Sequence, residues 1–208
     1  MQKPRIPHDL PLETFEVTDD PYYSLCMFEN ELIHHDMFQP IYFHQVIFKH
    51  VRFENVSFPN IDLMDVIFDH CDLSNVDFSS GMIHRVHFKN CKMLGMNFSE
   101  TTLGHVRIES CQAGLSAFGF SRLKHVLFDE CFLEKSDFYE CQFKKVQFQE
   151  CQLNEANFAN TSLNGVDLST NSFERLTVSL PELSGCTVSS EQAIGFAKLI
   201  GLNIKDDS

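Results

Sequence analysis

The stretch HCDLSNVDFSS, residues 70–80, sets Cys71 five residues before Val76 and Leu73 five before Phe78. Strand side chains repeat every ~2 residues and helical ones every ~3.6, so a step of five belongs to neither. The step continues through most of the chain. Counting by fives from Phe28 meets Ile33, Phe38, Phe43, Phe48, Phe53, Phe58, Leu63 and Phe68, and goes on to Ile108. After Ala113 it resumes at Phe118 and runs to Phe173. Two residues ahead of each, from Ile41 to Val166, stands a compact side chain, with Met96 the one larger occupant. No insertion shifts the phase, and a strict internal period outranks other readings of a sequence.

Two inward residues in every five, with one outward residue between them, describe a short β-like step followed by a corner. Four steps close a square coil of twenty residues, and coils stack at a strand spacing of about 4.8 Å. The square demands a subperiod of twenty. Val46, Val66, Val86, Val106, Val126, Val146 and Val166 meet it in the small slot, and Cys71, Cys91, Cys111, Cys131 and Cys151 meet it on the next wall. About 150 residues at that rate make roughly seven to eight coils and a rod about 35 Å long. Phe and Leu fill the interior, each contributing about 1.5–3 kcal/mol on burial, with rings in offset ladders. Such a core leaves no cavity for a substrate.

Composition suits one globular domain. The chain has 208 residues, 21 of them Phe, and a net charge of −13. A general nucleic-acid binder needs basic surface to neutralise phosphates, so direct nucleic-acid binding is not expected. Part of the excess lies near the start, where Asp9, Glu13, Glu16, Asp19, Asp20, Glu29, Glu31 and Asp36 oppose Lys3 and Arg5. No apolar run approaches the ~20 residues that span a bilayer. The opening MQKPRIPHDLPLETF is broken by prolines and lacks the apolar centre of a signal peptide. The expectation is a cytoplasmic protein with no membrane partner.

The segments CDLSN (71–75), VDFSS (76–80), MNFSE (96–100), SDFYE (136–140), ANFAN (156–160) and VDLST (166–170) resemble the A(D/N)LXX consensus of pentapeptide-repeat proteins. The resemblance implies an all-β fold, a right-handed quadrilateral parallel β-helix over residues 26–180. Solenoid ends expose core and unpaired backbone and need caps. Residues 1–25 are expected to cap the first coil, and 181–208 to form a C-terminal cap and dimerisation helix. There Ser189 and Gln192 fit a capping box, Ala193, Phe196, Ala197, Leu199 and Ile200 form an apolar face, and Gly201 is a stop. The tail SSEQAIGFAKLIGLNI is similar to the terminal helix of the quinolone-resistance (Qnr) group, whose members are homodimers joined end to end. That likeness implies a dimer interface of Phe196, Leu199, Ile200 and Leu202. A helix that only plugs its own coil is the other reading.

Outward residues divide the charge by wall. One column carries Arg85, His105, His125 and Lys145, with Arg122, Lys124 and Lys144 beside it. The wall centred on Phe58, Phe78, Phe98, Phe118, Phe138 and Phe158 carries Asp77, Glu100, Asp137 and Glu140, shows Phe120 and Tyr139, and has no Lys or Arg. A narrow rod with carboxylates along one side can imitate DNA. The Qnr likeness implies bacterial type II topoisomerase as the partner, DNA gyrase and topoisomerase IV, which such binding inhibits or protects from quinolones. A plainly solvated acidic wall is the other reading, as is a non-catalytic interaction scaffold with an unrelated partner. Many of the Qnr group project loops from the rod, and the unbroken phase here leaves no large loop between Phe28 and Phe173. The stretch CQAGLSAFGFS (111–121) stands in its place, with outward Leu115 and Phe120 near outward Leu94 and Phe132 as an apolar patch.

Other chemistry is not expected. Seven of eight cysteines fall in the small inward slot, where thiols pack as small hydrophobes, and parallel stacked side chains give the wrong torsion for a disulfide. His34 and His35 are adjacent and diverge, while His105 and His125 stack without a third ligand, so no metal site is expected. No nucleophile elbow or phosphate loop appears. Glu130 and Glu150 share a convex column without a pocket. Neither a cofactor nor an enzyme activity is implied.

Overall fold

The computed structural model describes residues 1–16, 21–34, 40–199 and 201–205. Phe38, His35, Asp19, Asp20, Asp36 and Ile200 lie outside the described residues. Every small-slot residue from Ile41 to Val166 is buried, as are the central residues from Phe43 to Leu168 apart from partly buried Phe143.

In chain order the elements are β1 (Tyr22–Glu29), β2 (Leu32–Ile33), β3 (Tyr42–Lys49), β4 (Arg52–Phe53), β5 (Asp62–Asp69), β6 (Met82–Lys89), β7 (Thr102–Glu109), β8 (Arg122–Asp129), β9 (Gln142–Gln149) and α1 (Ser190–Leu199). The eight-residue strands form one parallel sheet in the order β1-β3-β5-β6-β7-β8-β9. Register is offset by one coil throughout, with Val46 on Val66, Val66 on Val86, and Val106 on Val126. Each of these strands bends at its fourth residue, where φ is positive, and so covers two adjacent walls. The third wall is a ladder of single bridges through Asp72, Lys92, Gln112, Phe132 and Gln152; the fourth runs through Asp77, Asn97, Ala117, Asp137 and Asn157. A parallel β-solenoid of square section results.

The corners explain the period of five. Every fifth residue from Gln45 to Asn160, and Gly165 after it, sits in the left-handed region. A single left-handed residue reverses the pleat and turns the chain through a right angle without a loop. The corners leaving the third and fourth walls are β-turns, as in the Val76 amide donating to the Leu73 carbonyl at 3.2 Å and Thr101 to Phe98 at 3.2 Å. Positive φ at the third turn residue marks these as type II.

Rings stack in runs rather than in unbroken ladders. Phe98, Phe118, Phe138 and Phe158 lie within 5.1 Å of their neighbours at interplanar angles of 3–7°. Phe48, Phe68 and Phe88 stack likewise at 4.8 and 4.9 Å. Ile108 interrupts that second run, and Phe78 meets Phe98 edge-on at 85°. The seven sheet strands, one per coil, are separated by six coil steps. Thr170, Arg175 and Leu180 leave the left-handed region, and only single bridges continue, as far as Asp167 with Thr187.

The start of the chain does two things. Residues 11–13 pair with β1 through Pro11, Glu13 and Met27, and Phe15 packs on Tyr23, Phe28 and Phe43, over the first coil. Residues 1–5 instead run down the outside of the rod. At the other end, Ser189 and Gln192 exchange both capping hydrogen bonds, and the Gln192 amide also reaches the Leu168 and Asn171 carbonyls. Gly201, with φ +84°, closes α1 as Gly201 N–H meets Lys198 and Leu202 N–H meets Ala197, the Schellman pattern.

Candidate partner interface

The fourth wall and its corner column gather most of the acidic set. The column reads Ser80, Glu100, Phe120, Glu140, Asn160, so the exposed Phe120 ring sits one coil step, about 4.8 Å, from a carboxylate on either side. Tyr139 meets Phe120 edge-on with centroids 5.4 Å apart. The Asn160 amide donates to the Tyr139 hydroxyl at 3.2 Å and to Glu140 at 3.4 Å. Glu140 beside it raises the Tyr139 phenol above its ordinary value.

Asp77 and Asp137 are half-buried members of the wall rather than free charges. Asp77 accepts from Asn97 at 2.8 Å, from the Ser79 amide at 2.9 Å and from Ser57 at 3.2 Å. Asp137 accepts from Asn157 at 2.8 Å and from the Tyr139 amide at 3.1 Å. Each pairs with an Asn twenty residues on and with the amide two residues on, an Asx turn that fixes the step. Glu100, Asp137, Tyr139, Glu140 and Phe120 are therefore brought together. Asp77 lies two rungs from Ala117, toward the other end.

Across this corner column lies the basic wall, adjacent to the acidic one rather than opposite. His105 and His125 stack at 4.6 Å and 8°. Burial holds the His105 imidazole below its ordinary value, and the Met1 amino group, Lys124 and Arg85 push the same way. Arg85 is not free: its guanidinium donates to both Asp65 oxygens, at 2.6 and 2.7 Å. Asp65 is 5% exposed. Burial would raise its carboxyl, yet hydrogen bonds from Arg85 and the Arg5 amide hold it below the usual range. Reading outward columns in steps of twenty would have found this pair, since Asp65 directly precedes Arg85.

On the third wall, Leu94, Leu115 and Phe132 are exposed. All eight cysteines are free thiols, and burial pushes Cys141 up to about 12. Among the described residues no group of three metal-ligating side chains converges. Nor, among the described residues, is any helix long and apolar enough to cross a membrane. At the C-terminal end Phe196 packs on Phe173 of its own coil, 5.8 Å between centroids, while Leu202 is exposed. The side chain of Leu199, like all of Ile200, falls outside what the structure describes.

The pentapeptide repeat region family matches residues 41–118, 61–138, 81–158 and 121–193. The chain is a pentapeptide-repeat protein. Its fold is similar to that of trypsin-treated QnrB1, a plasmid-mediated fluoroquinolone resistance protein, at 17% identity over 95% of this chain and 100% of that one, with a TM-score of 0.52. Full-length QnrB1 aligns at 16% identity over 85% and 100% of the two chains, TM-score 0.49. HetL of the cyanobacterium Nostoc, a pentapeptide-repeat protein involved in heterocyst differentiation regulation, aligns at 10% over 82% and 90%, TM-score 0.33. No curated protein sequence matches the chain significantly. At these identities the likeness of this pentapeptide-repeat protein to its relatives is one of fold.

Proposed function

We propose that this protein is a non-catalytic DNA mimic that binds bacterial type II topoisomerase, DNA gyrase and by extension topoisomerase IV, and inhibits it or protects it from quinolones. The observation that carries the reading is the Glu100–Phe120–Tyr139–Glu140 patch on a rigid wall without Lys or Arg. Magnitudes constrain how it works. Duplex DNA carries one charge per ~1.7 Å of axis. Asp77, Glu100, Asp137 and Glu140 span about three coil steps of ~4.8 Å, a far sparser row. Charge therefore steers the approach, and burial of the Phe120 and Tyr139 rings supplies the holding contact. QnrB1, described as a fluoroquinolone resistance protein, shares the fold, which supports the choice of partner.

In this reading the N-terminal segment 1–25, apart from residues 1–5 on the side of the rod, and residues 181–208 close the ends of a 26–180 repeat body in a cytoplasmic protein. Two copies join end to end through Leu202, Leu199 and Ile200, with Phe196 bracing the helix from beneath. Supercoiling by purified gyrase, with and without a quinolone, tests the function. Near-stoichiometric protein should inhibit the reaction or shield it from the drug, and Glu100→Lys with Glu140→Lys should abolish either effect. Lys already occupies the left-handed corners at Lys135 and Lys145, so this variant keeps the fold. Full activity of the double variant would end the acidic-wall account. The exposed Leu94, Leu115 and Phe132 group favours a second reading, a scaffold docking an unrelated apolar partner; it predicts that gyrase is indifferent to the protein.

A further inference from the structure

Residues 1–5 lie along the corner column Gln45–Asp65–Arg85–His105 and are clipped to it at two levels. The Arg5 amide donates to Asp65 Oδ1 at 2.9 Å, and the Gln45 side-chain amide donates to the Arg5 carbonyl at 2.8 Å. Three residues upstream, the Gln2 amide donates to His105 Nδ1 at 3.1 Å. The spacing is matched. Pro4 favours an extended, polyproline-like path, which covers about 9 Å in three residues. Two coil steps from Asp65 to His105 cover about 9.6 Å. The segment also closes one side of a groove of about 330 Å³ whose floor includes Val86, His87, Arg107 and Glu109.

We infer that this N-terminal strap is a pH-gated cover over the lateral groove, released at its outer end when His105 takes up a proton. The chemistry is direct. A neutral imidazole accepts at one nitrogen, whereas an imidazolium donates at both and cannot receive the Gln2 N–H. Surrounding charge sharpens the effect. His105 faces His84 and Arg85 from β6, Lys124 and His125 from β8, and the Met1 amino group, with Lys145 from β9 one step further on beside His125. The carboxylates on this side are already engaged, Asp65 by Arg85 and Glu109 by His87 and Arg107. A proton on His105 thus adds a cation to a cationic cluster and removes the acceptor that holds residue 2. Burial, the Met1 amino group, Lys124 and Arg85 keep His105 below its ordinary value with the strap in place. Attachment is therefore complete above about 6.5, the unperturbed imidazole value, and weakens as the pH falls below it. Asp65 keeps its charge through this window, so the Arg5 clip persists and the strap opens from its tip.

Backbone 15N relaxation on the full chain between pH 8 and 5 tests the inference independently of any topoisomerase. Order parameters of Gln2 and Lys3 should fall from about 0.85 to below about 0.6 on acidification, while Val106 stays rigid. In His105→Asn, an uncharged acceptor of a type already resident at corners such as Asn75 and Asn90, the order should persist to pH 5. A pH-independent Gln2 in the wild type, or the same loss of order in His105→Asn, would overturn it. The wild type alone gives a second reading: the imidazole nitrogen shifts must show Nδ1 unprotonated at pH 7.5, and an Nδ1–H tautomer would overturn it as well.

Discussion

Phe120 holds a φ of +62° and Leu115 a φ of +59°, with both side chains more than half exposed. For a bulky L residue this region costs roughly 1–2 kcal/mol, and neither ring nor isobutyl group recovers that by burial. Asn, which tolerates the region, stands at Asn60, Asn75 and Asn160 in neighbouring corners. Phe120→Asn should therefore stabilise the protein by about 1 kcal/mol in chemical denaturation while weakening topoisomerase binding. A variant that loses stability would contradict this account of the corner. Strain kept at an exposed site is the pattern expected where a surface serves a partner. The positions of Phe120 and its flanking acids were legible in the count of five. Their left-handed backbone was not, because Asn and Gly hold only some of the corners and Glu, His, Lys, Leu and Phe hold others.

At the scale of the wall, the small slot does more than save space. Ser121 Oγ donates to the Phe98 carbonyl at 2.6 Å and accepts the Thr101 amide at 2.9 Å. Cys91 plays the same double part, donating to Phe68 and accepting the Cys71 amide at 3.4 Å. Periodicity marked these residues as small and inward but was silent on their hydrogen bonds, since Val fills the same slot on other walls. The donors and acceptors they bond are buried backbone groups at the corners. Ser121→Ala removes both of these bonds and leaves the Thr101 amide with its turn bond to Phe98 alone, which should cost about 0.5–1.5 kcal/mol; Ser121→Cys should cost less, as Cys141 already donates at the equivalent rung. Equal losses for the two variants in thermal unfolding would refute the rung's polar role.

The strap and its Asp65–Arg85 anchor belong to the same scale, and the strap shows where sequence reading stops. Gln2 and Arg5 are held by their backbone amides, which carry no side-chain signature, so nothing in MQKPRIP announced the contact. Asp65→Asn leaves Arg85 almost buried and unpaired and should destabilise the rod by about 3 kcal/mol. The pH dependence has a definite sign. A carboxyl whose folded value is lowered contributes stability above about 4, and that contribution is lost as the pH falls through the lowered value. Acid unfolding of the wild type should therefore show a steep limb that Asp65→Asn flattens.

The molecule as a whole is a rod in which each coil touches only its neighbours, with acid and base sorted onto adjoining walls by a register that never slips. Sorting follows from the period alone, which is why both charged walls were legible in the sequence. The proposed end-to-end pairing of two rods rests in the sequence on an apolar helix face alone. Phe196 turns to its own coil, against Phe173, so amphipathicity alone did not separate the inward from the outward side.

If the acidic wall stands in for DNA, protein and duplex must exclude each other from gyrase. Anisotropy of a labelled duplex on purified gyrase, titrated with this protein, reads that exclusion directly. The account predicts displacement by the wild type, stronger at low salt, and none by the Glu100→Lys, Glu140→Lys variant. A stable ternary complex of gyrase, duplex and protein would contradict it.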